Sequence, residues 1–114
     1  MPKDQASPKK TFSYDEAAAL LPEVRRLTEE AYQRVASLGV GPALDHLQAE
    51  ARGQVDEIVN AWAQALIVRG LEVKGLWLVD FDNGSGYYCW RYPEEGLHFY
   101  HSYEEGFRGR MRIH

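Results

Sequence analysis

The chain has 114 residues and a mass of 13.0 kDa, room for one domain around one modest core. Hydrophobic residues make up 45% and charged residues 26%, as in a globular protein, and the net charge of -4 argues against whole-chain attraction to nucleic acid or an anionic membrane. The single cysteine, Cys89, excludes an intramolecular disulfide and suits a reducing compartment, so a cytoplasmic protein is expected.

Residues 1–11 hold prolines and lysines with no large side chain beyond Met1, which predicts a disordered N-terminal tail. Charge without an apolar stretch behind it predicts no secretory leader. No run in the chain reaches the roughly 18 apolar residues of a membrane span. A single domain over 12–114 is expected to follow. Ser13 and Glu16 form a capping box, with Phe12 placed as a hydrophobic staple, and a first helix is predicted over about 13–38. Leu20, Val24, Leu27, Ala31, Val35 and Leu38 share one of its faces. Gly39-Val40-Gly41-Pro42 stops that helix and starts the next at its first turn. The second helix, about 42–69, carries Leu44, Leu47, Ala51, Val55, Ile58, Trp62 and Ala65 at helical spacing and stops at Gly70. A tight turn between helices of similar length implies a long antiparallel helical hairpin.

After Gly75 the period changes to two and β-formers take over. Strands are predicted at about 76–82, 86–92 and 97–103, with a fourth contributed by 107–113. The fold class is α+β, a helical hairpin on a small antiparallel sheet of three to four strands. Reading Asn83-Gly84 as a two-residue turn pairs Asp82 with Ser85 and Trp77 with Trp90. Reading Pro93–Gly96 as a four-residue turn pairs Trp90 with Phe99 and Tyr88 with His101. The helix-facing side then collects Trp77, Val79, Phe81, Tyr88, Trp90, Tyr92, Leu97, Phe99, His101 and Tyr103. Leu76, Leu78, Asp80, Asp82, Tyr87, Cys89, Arg91, His98, Tyr100 and Ser102 fall on the other side, a mixture suited to a ligand or a second subunit. Helices longer than the strands leave an apolar overhang, which predicts a homodimer.

Chemistry concentrates in His101, Glu105, Arg91 and Arg110, with Asp80 as an outlying member. A histidine exchanges protons near neutrality, a carboxylate orients it, and arginine grips carboxylate or phosphate with two parallel donors. The leading expectation is a binding module for a small anionic ligand or a protein partner. The alternative is a small enzyme with His101 as acid–base and Arg110 as anion clamp. No residue is assigned as catalytic, since His101 could equally be satisfied in the core and the arginines could tie down the C-terminal segment. No metal and no cofactor are expected, because His98 and His101 alternate across a strand and neither CxxC nor HExxH occurs. Arg108, Arg110 and Arg112 alternate, which predicts a charged edge strand. A nucleic-acid accessory role using that edge is a third reading, disfavoured by the acidic charge.

The chain also resembles DUF2203, a family of small prokaryotic proteins of unknown function. The resemblance rests on Phe12-Ser13, Leu20-Leu21-Pro22, Leu71–Lys74, Leu78–Phe81 and Cys89-Trp90-Arg91, and most specifically on His101-Ser102-Tyr103-Glu104-Glu105-Gly106-Phe107-Arg108-Gly109-Arg110. Gly75 stands where members carry an acid, and Tyr100 where they carry tryptophan. The resemblance supports the fold and the site positions and implies no activity.

Overall fold

A computed structural model describes residues 10–39 and 45–113. Residues 1–9 of the tail read at 1–11 and the helix restart at Pro42 lie outside the described residues.

Helix α1 (Tyr14–Ser37) opens on the expected capping box, with the Ser13 hydroxyl accepting from the Glu16 amide at 3.1 Å and the Ser13 amide donating to Glu16 Oε1 at 2.9 Å. Phe12 is drawn onto the sheet, its amide donating to the Asp82 carbonyl at 2.7 Å and its ring meeting Phe81 edge-on at 5.6 Å. Helix α2 spans Asp45–Ile67. Glu23 pairs with Arg69 and Thr28 with Trp62, so the two helices run antiparallel. Thr28 is the polar exception on a buried stripe of Ala17, Leu21, Val24 and Ala31. Its hydroxyl accepts from Trp62 Nε1 at 2.8 Å and donates to the Val24 carbonyl at 2.8 Å, which satisfies an indole that would otherwise be buried without a partner.

Both helices pack on one face of a five-stranded antiparallel meander, strands β1 (Glu72–Gly75), β2 (Leu78–Asp82), β3 (Gly86–Arg91), β4 (Phe99–Ser102) and β5 (Met111–Arg112), in that spatial order. Val79, Phe81 and Trp90 from the sheet join Val24, Trp62 and Leu66 from the helices in one apolar core.

The sheet corrects the sequence reading in four places. It has five strands, because Glu72–Gly75 forms an edge strand before the break at Leu76-Trp77. Trp77 is therefore a turn residue, at φ 61, with its ring against Trp62 at 5.0 Å. Second, Asn83-Gly84 is not a two-residue turn. Asn83 Oδ1 accepts from the amides of both Ser85 and Gly86 at 2.8 Å, the Asn83 amide donates to the Gly86 carbonyl, and Asp82 pairs with Tyr87. That moves the register by two and leaves every side chain on its expected face. Third, the β3–β4 connection is a longer loop, with Tyr87 paired to His101 and Cys89 to Phe99. This is a one-residue slip, and it sends His101 and Phe99 to the face away from the helices. Fourth, Phe107–Gly109 is a 3-10 turn, so the arginines do not line one edge strand, and β5 is only two residues long.

Candidate functional site

The slip at β4 assembles the site. On the face away from the helices, β2 contributes Asp80, β3 contributes Cys89 and β4 contributes His101, with 1%, 0% and 3% of their surface exposed. A carboxylate oxygen, the sulfur and a ring nitrogen of these three lie within 4.8 Å of one another. They form the floor of a cavity of about 360 Å³ whose walls include Leu78, Phe107, Lys74 and Glu105. The segment after β4 brings Glu105, Gly106 and Phe107 to the cavity wall, so part of the mixed surface expected from the sequence is covered by the chain itself.

His101 is held at both nitrogens. Nδ1 lies 2.8 Å from the Ser102 carbonyl oxygen and Nε2 lies 2.9 Å from Asp80 Oδ2. A carbonyl can only accept, so Nδ1 carries a hydrogen. The Nε2–Oδ2 contact then holds one proton, either as an imidazolium facing a carboxylate or as a neutral imidazole facing a carboxylic acid. Both forms leave the pair without net charge. Burial pushes the Asp80 carboxyl above the usual range, and His101, Cys89 and Lys74 oppose that rise only in part. Among the described residues, Asp80 Oδ1 is buried with no hydrogen-bond partner. The Cys89 thiol is pushed up to about 12 by burial and then by the nearby Asp80 charge, with Arg110 opposing.

Lys74 stands at the rim, 3.7 Å from Asp80 Oδ2, 3.4 Å from Glu72 Oε1 and over the Tyr87 ring at 4.0 Å. Burial lowers its proton affinity, but the charges of Asp80, Tyr87 and Glu72 outweigh that and hold the ammonium above its ordinary value. Tyr87 donates to Glu72 at 3.1 Å and its ring lies 5.3 Å from that of His101, which closes the floor on one side.

The sequence-derived residues separate in the structure. Asp80, the outlying member, is the carboxylate that holds His101. Glu105 lines the cavity but bonds Ser102, its backbone amide donating to the Ser102 hydroxyl at 3.2 Å. Arg110 lies outside the cavity lining, bonded through both guanidinium nitrogens to Glu94 and stacked on Phe99 and Phe107 at 4.0 Å each. It reaches the cluster only through a long contact of 3.9 Å to Cys89 Sγ. Arg91 is exposed, 5.4 Å above Phe107, and does not line the cavity. Lys74 was missed, and Cys89, already placed on the face of Asp80, was left out of the candidate residues. Cys89 shares a strand face with Asp80 in any register of even offset, and that shared face was the signal available for it. A larger hollow of about 520 Å³ on α1, lined by Arg26, Glu29, Glu30, Gln33 and Arg34, is one charged outer face of a helix and holds no buried polar group.

These features define an α+β protein with a buried aspartate–cysteine–histidine cluster at the floor of an open cavity in its sheet. The family model described as an uncharacterized conserved protein, DUF2203, matches residues 10–113, and the chain belongs to that family. No curated protein and no solved structure matches it.

Proposed function

We propose that the chain is a binding module for a small anionic ligand, received in the cavity over Asp80, Cys89 and His101. The observation that supports this most is a buried, proton-sharing Asp80–His101 pair at the floor of a cavity large enough for a small molecule. Lys74 at the rim takes the part that the sequence reading gave to Arg91 and Arg110, since Arg110 is bound to Glu94 and Arg91 is exposed over Phe107 and does not line the cavity. Leu78 and Phe107 supply apolar wall. His101 and Asp80 also satisfy the first demand of an acid–base site, a proton held between two groups beside an open space. An enzyme reading is therefore carried by His101 and Asp80, without Arg110 as clamp.

The test is a thermal-shift titration of metal-free protein with inorganic phosphate and a panel of small carboxylates. A ligand at a hundred times its Kd stabilises the folded state by about 2.7 kcal/mol. Stabilisation in the wild type that is lost in both His101→Ala and Lys74→Ala is the expected result. A panel with no effect on the wild type, or an effect unchanged by both substitutions, overturns the reading.

We further propose a cytoplasmic homodimer. The 24-residue α1 is about 36 Å long at 1.5 Å per residue, well beyond strands of four to six residues. A groove between the helices is lined by Leu27, Ala31, Ile58, Ala61 and Ala65 together with Glu30, Arg34 and Trp62. The lone buried thiol suits a reducing compartment. Among the described residues no helix is long and apolar enough to cross a membrane. A monomeric mass at micromolar concentration by light scattering would end the dimer proposal.

A further inference from the structure

We infer that Asp80, Cys89 and His101 form a site for one divalent transition-metal ion of the zinc class, with a fourth coordination position open to the cavity. The inference deepens the proposed function, because an ion with an open position would add a second cationic group beside Lys74 to hold the anion.

Four observations carry it. The three residues offer an oxygen, a sulfur and a nitrogen, the mixed donor set of borderline-soft ions such as Zn²⁺ and Co²⁺. Their donor atoms lie within 4.8 Å of one another, and Nε2 and Oδ2 are 2.9 Å apart. A tetrahedral ion with bonds of about 2.0 to 2.3 Å sets its donors roughly 3.3 to 3.8 Å apart, so small side-chain rotations suffice. His101 is already oriented as a metal-binding histidine is, with Nδ1–H given to the Ser102 carbonyl and Nε2 turned toward Asp80, where the ion would take the place of the shared proton. Finally, Asp80 Oδ1 is buried with no hydrogen-bond partner among the described residues, and a carboxylate oxygen in that state is what a cation satisfies.

Charge balance agrees. Without metal, the pair shares one proton and the thiol keeps its own, so the cluster is neutral. One M²⁺ bound to a carboxylate, a thiolate and a neutral imidazole is also neutral. Entry of the ion therefore forms one bond each to oxygen, sulfur and nitrogen and releases two protons to solvent. Lys74 gives up its contact with Asp80 and keeps Glu72, the nearer of its two carboxylate partners. Three protein donors leave a tetrahedral ion one position short, as in catalytic rather than structural zinc sites. The cavity these three residues line is where the fourth ligand enters.

The experiment is a Co²⁺ titration of chelator-treated full chain, followed by electronic absorption. Binding of one equivalent is expected, with a near-ultraviolet thiolate-to-cobalt charge-transfer band and visible bands of four-coordinate intensity, and Zn²⁺ should displace the cobalt. Cys89→Ser should lose the charge-transfer band, and His101→Gln should weaken uptake at least tenfold. Gln33→Ala, on the exposed outer face of α1, should bind as the wild type does. No uptake by the wild type, or uptake without a thiolate band, overturns the inference even if neither cluster variant folds. The two readings fail separately. Anions that stabilise metal-free protein while cobalt does not bind would remove the metal and leave the cavity reading standing, and cobalt binding without any anion effect would do the reverse.

Discussion

Gly86 sets the position of His101, and replacing it tests how the site is built. Gly86 pairs with Ser102 across β3–β4, and an added Cβ would stand 2.6 Å from the His101 carbonyl oxygen and 3.3 Å from the Ser102 Cα. These are backbone atoms, so no side chain can swing aside. Non-bonded atoms settle at about 3.5 to 4.0 Å, so β4 must retreat by nearly 1 Å in Gly86→Ala. His101 holds Asp80 at 2.9 Å, and such a retreat, which carries the Ser102 carbonyl along with the strand, stretches that contact beyond hydrogen-bond length. Overpacking of this kind costs about 1–3 kcal/mol, and at roughly 4 to 8 °C per kcal/mol for a domain near 100 residues the Tm falls by about 5 to 20 °C. The opposing effect is known in sign. Alanine restricts the unfolded chain and would by itself stabilise by about 0.4–1 kcal/mol. Calorimetric melting therefore discriminates by direction, and the His101 ring resonances should move in parallel. A Gly86→Ala protein that melts at or above the wild-type temperature would refute the packing of β4 against Gly86.

Two further substitutions probe the supports of the fold and of the cavity wall. Thr28→Val keeps the shape of the side chain but leaves the Trp62 indole buried without an acceptor, a loss of about 1–3 kcal/mol that Thr28→Ser should largely avoid. Equal melting temperatures for wild type and Thr28→Val would remove that hydrogen bond from the account. Arg110→Lys loses the two-pronged bond to Glu94 and the stacking between Phe99 and Phe107, about 1–2 kcal/mol in a half-buried setting. Hydrogen exchange over residues 105–112 should accelerate, and unchanged protection there would show that Arg110 does not hold that wall.

What could be read in advance followed the strength of each local rule. Capping chemistry at Ser13 and Glu16 and the three-and-four spacing of apolar residues marked the first helix to within a residue of Tyr14–Ser37 at each end. The helix-facing side of β2 and β3 was legible because an even shift in register preserves parity, so the misread turn at Asn83 did no harm. The connection from Arg91 to Phe99 gave no comparable rule. Pro93 and Gly96 mark a turn without fixing how many residues it holds, and one residue decides which way His101 points. The pairing of Asp80 with His101 was hidden by that alone. Arg110 was misjudged for another reason: its spacing suggested a strand edge, whereas the aromatic rings on either side and Glu94 captured it. Edge strand β1 escaped notice because Trp77 takes a left-handed backbone conformation that glycine or asparagine usually signals.

The meander has a consequence for how such a chain tolerates change. Insertions are ordinarily absorbed in surface loops with little effect on what the scaffold carries. Here Asp80, Cys89 and His101 come from consecutive strands, and the loops between them act as spacers whose lengths are counted modulo two. A shift of two in the β3–β4 register would keep His101 on the sheet face that carries Asp80, though two residues along the strand. A change of one, however conservative in composition, would turn the imidazole into the helix-packed core and dismantle the cluster without altering any of its members.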